Sequence, residues 1–441
     1  MVQIRGVPGR SLYSVGIVSV FVLISLLTYF FWVPTPPPRA PTRPAAIPNT
    51  IPSQPKPAAD PVANTNGGTS NGSSSNGGSG GPGLVQQSTG KIIDHIYNRT
   101  LGFGDILSVS LPSRTDRRDS MHLQSSLSGF HVTFVDGVNG DDVVDKAIPN
   151  TFKHDRMRGS SIGSWRGHMN AIQQIVDRNL ASALITEDDL DWDIRIHDQL
   201  YDFALSARAL IQPLAGTQNQ YHDPTFPKPG KNAPETVPDI DFAHLPDTEE
   251  PKISPYGDDW DVLWIGHCGM HFPFKDDVHQ PKGRVVHKQD ETVAMKKYLR
   301  NIPQPFTLSD DYPQHTRVVH HAEEGVCTLA YAVSLQGAQK LIYELGLKDV
   351  TDQYDILLRF FCNGFRGRKP HRCLTVQPSL FHHFHAKGPK SASSDIDSWN
   401  ADEFVTEESS DMVRWSVRLN AETLMEGGTV FSDQYPDSVL P

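Results

Sequence analysis

The sequence predicts an α/β domain built on a largely parallel, doubly wound sheet. Short apolar runs typical of buried strands alternate with stretches whose apolar residues recur at helical spacing. One such run, Ala183–Ile185, leads within two residues into the acids Glu187, Asp188 and Asp189. Because open α/β sheets bind ligands beyond the carboxyl ends of their strands, this acidic run predicts the functional edge of the sheet.

The alternation predicts the elements in chain order. They are a strand over 106–111, a helix over 116–127, a strand over 131–135, a helix over 165–178, the acidic strand, a helix over 194–209, strands over 260–265 and 328–333, and a helix over 336–345. Ser334 is expected to be the N-cap of the last helix. The Pro-rich, polar stretch over about 213–258 predicts a long loop or insertion.

The N-terminus predicts a membrane anchor. Leu12–Val33 is uncharged and apolar, and it is long enough to cross a bilayer core of ~30 Å as a helix. Aromatic residues end the span and prolines follow it without a small-residue cleavage site, which favours a signal anchor over a cleaved signal peptide. We therefore expect residues 1–11 to be a cytoplasmic tail and the protein to be a single-pass type II membrane protein of the Golgi or endoplasmic reticulum.

A stem and one lumenal domain are expected to follow the anchor. Residues 34–90 are rich first in Pro and then in Gly, Ser and Asn, a composition that cannot bury a core. Residues 91–441 suit one α/β enzyme domain with insertions. Asn71 and Asn98 each begin a glycosylation acceptor sequence, in agreement with a lumenal location.

The four cysteines all lie in the globular part, at 268, 327, 362 and 373. An oxidising lumen allows three complete pairings, and free buried thiols are the alternative. Cys362 and Cys373 are close in sequence and are the first pair expected to form a bridge. The formal net charge of −11 and the absence of a basic stripe argue against nucleic acid as a partner.

The acidic run has two interpretations from the residues alone. Consecutive carboxylates repel one another unless a cation lies between them, and Mg²⁺ or Mn²⁺ prefers such oxygen ligands. A solvated acidic turn before a helix is the alternative. Asp191 and Asp193, further along, are expected to be solvated carboxylates at the start of the next helix.

Several motifs in order resemble glycosyltransferase family 25, which includes bacterial lipopolysaccharide glycosyltransferases and animal procollagen galactosyltransferases. The matching segments are Ser110–Arg118, Gly167–Ile172, Val176–Leu190, Tyr331–Leu341 and Asp352. The resemblance spans about Ile106 to Asp395. It departs at Gly167, where the family usually has Ser.

The resemblance implies a GT-A type nucleotide-sugar transferase fold that uses Mn²⁺, or Mg²⁺, and a UDP-sugar donor. It implies transfer of a hexose, with galactose the first expectation, to a protein or glycan hydroxyl with inversion. Glu187, Asp188, Asp189 and His385 are the implied metal ligands, while one of His382 and His383 is expected to be a core histidine. The implied nucleotide-sugar contacts are Leu111, Arg114, Arg117, Asp136 and His168, although a structural role for His168 stays open.

Asp352 is the general base that the resemblance implies, and Asp355, three residues on, is the second candidate. An exposed helix carboxylate is the alternative for each, and it is favoured for Asp355. A non-catalytic carbohydrate or nucleotide-sugar binding protein is the main alternative function. A two-metal phosphoesterase is a third, but its more widely spread ligands are absent from the sequence.

Overall fold

The computed structural model describes residues 90–149, 156–390, 395–396 and 403–437. The expected span Leu12–Val33, most of the stem and Asn71 lie outside these ranges. Within the ranges, no helix is both long enough and apolar enough to cross a membrane.

Seven α-helices and sixteen strands are the main regular elements of the described residues. The helices are α1 (Thr115–Leu127), α2 (Gly159–Asp177), α3 (Ile196–Ile211), α4 (Thr307–Asp310), α5 (Leu335–Leu341), α6 (Tyr354–Asn363) and α7 (Ala421–Met425). The strands are β1 (Ile106–Ser110), β2 (Thr133–Asp136), β3 (Ser182–Thr186), β4 (Leu190–Trp192), β5 (Ile240–Asp241), β6 (Val262–Gly266), β7 (Gly269–His271), β8 (Arg284–His287), β9 (Arg317–His321), β10 (Glu323–Val326), β11 (Ala330–Ser334), β12 (Cys373–Gln377), β13 (Phe381–His385), β14 (Gly388–Pro389), β15 (Phe404–Val405) and β16 (Ser409–Ser410).

Nine strands form one mixed sheet in the order β2-β1-β3-β11-β6-β12-β9-β8-β5. Parallel pairing joins β2, β1 and β3, β6 and β12, and β8 and β5. Only β11 and β9 run against the rest, since each pairs antiparallel with both neighbours. The predicted α/β class with a mostly parallel sheet is therefore confirmed.

The sheet separates two hydrophobic layers because successive strand side chains point to opposite faces. On one face Ile106 and Leu184 pack with α3 residues such as Phe203. On the other face Leu107 and Ile185 pack with residues of α2, α5 and α6. This three-layer arrangement fixes the loops at one edge of the sheet, where the strands β1 and β3 end.

Local sequence signals account for some of the element boundaries. Ser334 caps α5 as expected, its hydroxyl accepting a hydrogen bond from the Gly337 backbone N–H at 3.0 Å. Helix α2 starts at Gly159, six residues before the expected start at Trp165, because small residues there allow close packing against the loop at Gly140. The stretch over 213–258 is mostly loop, yet it supplies β5, the last strand of the sheet.

Both cysteine pairs are joined in the structure. Cys362 and Cys373 form the bridge that their short separation suggested, and it ties the last residues of α6 to the start of β12. Cys268 and Cys327 form the second bridge, next to the ribbon of β7 and β10. No free cysteine remains.

The expectation for Asp191 and Asp193 was wrong, because neither carboxylate is solvated. Asp191 lies in β4, an edge strand of the small sheet β16-β13-β4, and its side chain is fully buried. Its carboxylate accepts hydrogen bonds from the hydroxyls of Ser410 and Ser416. Asp193 is also buried and accepts a hydrogen bond from the Arg195 backbone N–H at 3.0 Å.

Candidate functional site

A cavity of about 410 Å³ opens at the edge of the sheet where β1 and β3 end. Most of its wall comes from the end of β1 with the loop after β2, the N-terminal half of α2, the acidic turn after β3, and the start of α6. The other lining residues are Arg117, Cys327, Thr328, His383, Asp395 and Ile396. These regions converge because the parallel strands β1, β2 and β3 all end at this edge. The position agrees with the ligand site that the strand pattern predicts.

The acidic turn Glu187–Asp189 connects the large sheet to the small one. It follows β3 directly and leads into β4, and all three acids line the cavity. Two backbone hydrogen bonds hold the turn: the Glu187 N–H donates to the Leu329 carbonyl, and the Phe384 N–H donates to the Asp189 carbonyl, each at 2.9 Å. The carboxylates are therefore presented from a backbone fixed at both ends.

Arg117 in α1 balances part of this negative charge. Its guanidinium lies 2.6 Å from Asp188 Oδ1 and 3.4 Å from Asp189 Oδ2. Burial nevertheless raises the pKa of Asp188, with the neighbouring Asp189 charge adding to the effect, and Arg117 offsets this only in part. An additional cation at this turn would relieve that cost.

Glu187 is held by a polar group on each side. The Thr328 hydroxyl donates to Glu187 Oε1 at 2.9 Å, and His168 Nε2 lies 3.7 Å from the same oxygen. Burial raises the pKa of Glu187, but the neighbouring His168 imidazole and the Thr328 hydroxyl outweigh burial and lower it. Glu187 is thus stabilised as a carboxylate at the cavity wall.

Asp189 carries an oxygen that suits a metal ion. Among the described residues, its buried Oδ1 has no hydrogen-bond partner, and the nearest imidazole nitrogen, Nδ1 of His383, lies 3.9 Å away. A buried carboxylate oxygen without a partner is costly unless a cation or water satisfies it. Carboxylate oxygens with an imidazole nearby are a suitable donor set for Mn²⁺.

One His/Cys group within the described ranges already has its ligand atoms within 4.8 Å of one another, namely Cys268, Cys327 and His383. The two sulfur atoms are joined in a disulfide, so they are not thiolate ligands. The carboxylates of the acidic turn do not form so tight a group, and Arg117 pairs with two of them.

The two histidines at the end of β13 lie on the same side of the strand and differ in their partners. His383 lines the cavity. His385 is not a lining residue, and its Nε2 lies 3.1 Å from Asp411 Oδ2. The hydrogen bond to Asp411 raises the pKa of His385. His382, on the opposite side, is buried, and its Nε2 lies 2.9 Å from the Ser379 carbonyl oxygen.

The two candidate bases take different positions. Asp355, in the first turn of α6, lines the cavity, and its Oδ2 accepts a hydrogen bond from the Cys327 backbone N–H at 2.9 Å. Asp352 precedes the helix, is not a lining residue, and accepts a hydrogen bond from the Thr351 hydroxyl at 2.7 Å. The structure therefore brings Asp355, the less favoured candidate, to the cavity.

The remaining predicted contacts are divided between cavity and surface. Leu111, Arg117 and His168 line the cavity. Arg114 reaches it indirectly through an ion pair with Asp395, which is a lining residue. Asp136 is exposed and pairs with Arg118 at 2.6 Å, so it lies outside the cavity wall.

Sequence reasoning missed several lining residues. They are Asn139, Ser160, Ser161, Ser164, Thr328, Gln353 and Tyr354. The serines could have been predicted from the sequence, since the run Gly159–Ser164 places small polar residues at the start of a helix beside the sheet edge. Thr328 had no such signal, because its role depends on the antiparallel pairing of β11 with β3.

Residues 104–228 match the model of glycosyltransferase family 25, described as LPS biosynthesis protein. The matched segment includes β1, α1, α2, β3 and the acidic turn, and so it contains most of the residues that line the cavity. The others, among them Thr328, Asp355 and His383, lie beyond the matched segment.

Proposed function

Because this chain carries a glycosyltransferase family 25 domain and is a glycosyltransferase, we propose that it transfers a hexose from a UDP-sugar to a protein or glycan hydroxyl with inversion. Galactose is the first sugar to test, and the fold proposed is of the GT-A type. The observation that carries the proposal is the cavity in which the acidic turn faces Asp355 and the small-residue start of α2.

The donor is proposed to lie along β1 and α2. Leu111 and the loop after β2 offer an apolar wall and backbone groups for the nucleotide, and the serines of α2 offer hydroxyl groups. Arg117 offers a guanidinium, which binds phosphate oxygens well. His168 is held by Tyr331, whose hydroxyl lies 3.0 Å from its Nδ1, and so its Nε2 points to Glu187.

Glu187 and Asp189 are the proposed metal ligands, with Asp188 and His383 next to them. His385 could serve as a metal ligand only if its ring first moved away from the Asp411 carboxylate. A bound Mn²⁺ would act as a Lewis acid that offsets the charge developing on the diphosphate. The unpartnered Oδ1 of Asp189 is the atom in the described residues that supports this assignment.

Asp355 is the proposed general base. In the transfer, its carboxylate takes the proton of the acceptor hydroxyl, and the hydroxyl oxygen forms a bond to the anomeric carbon. The bond from that carbon to the diphosphate oxygen breaks, and UDP leaves with the electron pair. The hydrogen bond from the Cys327 N–H holds one oxygen of Asp355 in place, which leaves the carboxylate oriented for this role.

The proposed setting is the secretory pathway, with the Leu12–Val33 segment as anchor. Asn98 supports it, because this side chain is exposed and its acceptor sequence ends at Thr100, whose N–H donates to Asn98 Oδ1 at 2.8 Å. The full chain expressed in animal cells should remain with membranes after alkaline extraction and lose mass on N-glycosidase treatment. Recovery as an unglycosylated protein of the soluble fraction would contradict the setting.

The reaction is tested by incubating the detergent-solubilised full chain with Mn²⁺ and a panel of UDP-sugars, and by measuring released UDP. We expect one UDP-hexose to be consumed and a chelator to stop its consumption. Donor binding without consumption or transfer would contradict the enzyme proposal and favour the non-catalytic binding protein.

A further inference from the structure

The segment Ser409–Leu419, here called the C-terminal brace, lies beyond the family match and packs directly under the acidic turn. It pairs with β13, where Ser410 lies opposite Phe384 and Ser409 lies opposite His385. Its Ser416 forms a bridge with Asp193, just after β4. The brace therefore contacts both strands that carry the metal-side residues of the cavity.

Asp191 is the anchor of this contact. The buried carboxylate accepts hydrogen bonds from the hydroxyls of Ser410 and Ser416 and from the Arg418 backbone N–H at 3.4 Å. All of these donors come from the brace, more than 200 residues away in sequence. Because a buried carboxylate without donors is costly, the brace and β4 are held together strongly.

Arg418 extends from the brace to the acidic turn. Its guanidinium lies over the Phe384 ring at 4.2 Å and donates to the Asp188 carbonyl oxygen at 3.4 Å. It is close enough to the carboxylates of Asp191, Asp189 and Asp188 to interact with their charge, with Asp191 the strongest of the three. Within the described residues, the buried Nε of Arg418 has no hydrogen-bond partner.

We propose that Arg418 is a positioning residue for the transfer reaction, holding the Glu187–Asp189 turn through the Asp188 carbonyl and placing a fixed positive charge behind its carboxylates. This inference rests on the proposed function of the cavity. It gives one residue of the C-terminal brace, Arg418, a role at the acidic turn, although Arg418 lies beyond the residues of the family match.

The charge and the contact of Arg418 have separable effects. Removing the charge leaves the acidic turn more negative, so Mn²⁺ should bind more tightly. Removing the contact lets the turn shift, and the loss of a residue that orients metal ligands typically lowers activity about 10- to 100-fold. A change that merely loosens the fold would weaken Mn²⁺ binding and turnover together.

The test compares three variants of the full chain: Arg418→Met, Arg418→Lys and Arg414→Met. Arg414 is a matched control, since it is buried in the same brace and stacks on Trp415, but its ion pairs are with Asp433 and Asp437. Mn²⁺ binding without donor is followed by electron paramagnetic resonance, UDP release gives turnover, and thermal melting gives stability.

Arg418→Met should bind Mn²⁺ at least as tightly as the wild type while turnover falls about 10-fold or more. Arg418→Lys should retain the wild-type Mn²⁺ affinity and recover part of the turnover. Arg414→Met should lower the melting temperature without changing Mn²⁺ affinity or turnover. Wild-type turnover in Arg418→Met, or the same profile in both methionine variants, would overturn the inference.

Failure of the proposed function has a different signature. A wild-type chain that binds Mn²⁺ without consuming any donor would contradict the proposed function, whereas the Mn²⁺ comparison among the variants would still decide whether Arg418 acts on the turn. A weaker Mn²⁺ affinity in Arg418→Met than in Arg414→Met would overturn the charge argument.

Discussion

The imidazole of His168 stacks face to face on the Tyr354 ring, with centroids 4.3 Å apart and planes within 6°. The contact joins the donor-side helix α2 to the first residue of α6, immediately before Asp355. The hydroxyl of Tyr331 lies 3.0 Å from His168 Nδ1 and donates to the Tyr354 hydroxyl at 2.9 Å. The proposed donor side and base side of the cavity are thus linked by one buried aromatic cluster.

The first prediction concerns the metal. Asp189→Asn keeps the shape of the side chain but removes a charge from the acidic turn. UDP release should fall by at least about 100-fold, because the charge that would hold the cation is lost while the packing is kept. Melting temperature and UDP release are measured on the same preparation.

The matched control for this experiment is Asp119→Asn, an exposed carboxylate on α1. It should retain wild-type turnover. Unchanged wild-type turnover in the presence of a strong chelator would contradict the metal assignment.

The second prediction concerns the base. Asp355→Asn should lower turnover about 10²- to 10⁴-fold, since a positioned base is removed. Donor affinity, measured by calorimetry, should change little because the base acts on the acceptor. Asp352→Asn should keep most of its activity, since Asp352 does not line the cavity. If Asp352→Asn lost activity while Asp355→Asn kept it, Asp352 would be the general base. If both variants stayed active, the base would be another residue.

The third prediction concerns the pH dependence of stability. Burial raises the pKa of Glu323 from 4.5 to about 9, with Asp277 adding to the rise. The folded protein therefore keeps a proton that the unfolded chain releases above pH 4.5, so this group makes stability fall as pH rises from 4.5 toward 9. Glu323→Gln has no such proton to lose, and its amide oxygen can still accept from Asn363 Nδ2.

Glu323→Gln should accordingly raise the free energy of unfolding by about 1–3 kcal/mol at pH 8 and by less at pH 5. Urea unfolding at both values measures the difference. The partly exposed neighbour Glu324 provides the control, and Glu324→Gln should show no comparable gain. An equal gain at both pH values would refute the titration argument.

The fourth prediction concerns the close approach of α2 to the cavity loop. A Cβ atom on Gly163 would lie 2.4 Å from the Val138 carbonyl oxygen and 3.0 Å from the Gly140 nitrogen. Gly163→Ala should therefore push the loop away and destabilise the protein by about 1–3 kcal/mol. Donor affinity should fall as well, since Val138 and Gly140 line the cavity.

Gly230→Ala serves as the comparison, because a Cβ there would meet open space. It should leave both stability and donor affinity unchanged. A Gly163→Ala variant with wild-type melting temperature and wild-type donor affinity would contradict this prediction, because the loop would then accommodate the added Cβ atom.

The sequence was most informative where a few neighbouring residues decide the structure. Ser334 is a cap because its hydroxyl reaches a backbone N–H three residues on, and that relationship is visible in the sequence. The acidic turn was predictable for the same reason, since the apolar strand and the acids are consecutive.

The sequence was misleading where distant partners decide the structure. The sequence around Asp191 predicts a surface carboxylate, but folding brings the hydroxyls of Ser410 and Ser416 to it and buries it. Asp352 lies just before α6 and outside the cavity wall, whereas Asp355, in the first turn of α6, lines the cavity. Neither distinction follows from local pattern, because both depend on packing between separate parts of the chain.

The Cys268–Cys327 bridge has a practical consequence for producing this protein. Cys327 lines the cavity, its N–H holds Asp355, and the next residue, Thr328, holds Glu187. Recombinant chain made in a reducing bacterial cytosol would keep these cysteines as thiols and leave both carboxylates less firmly placed. Preparations from an oxidising host, assayed without added thiol reagents, are therefore the appropriate starting material for measuring its specific activity.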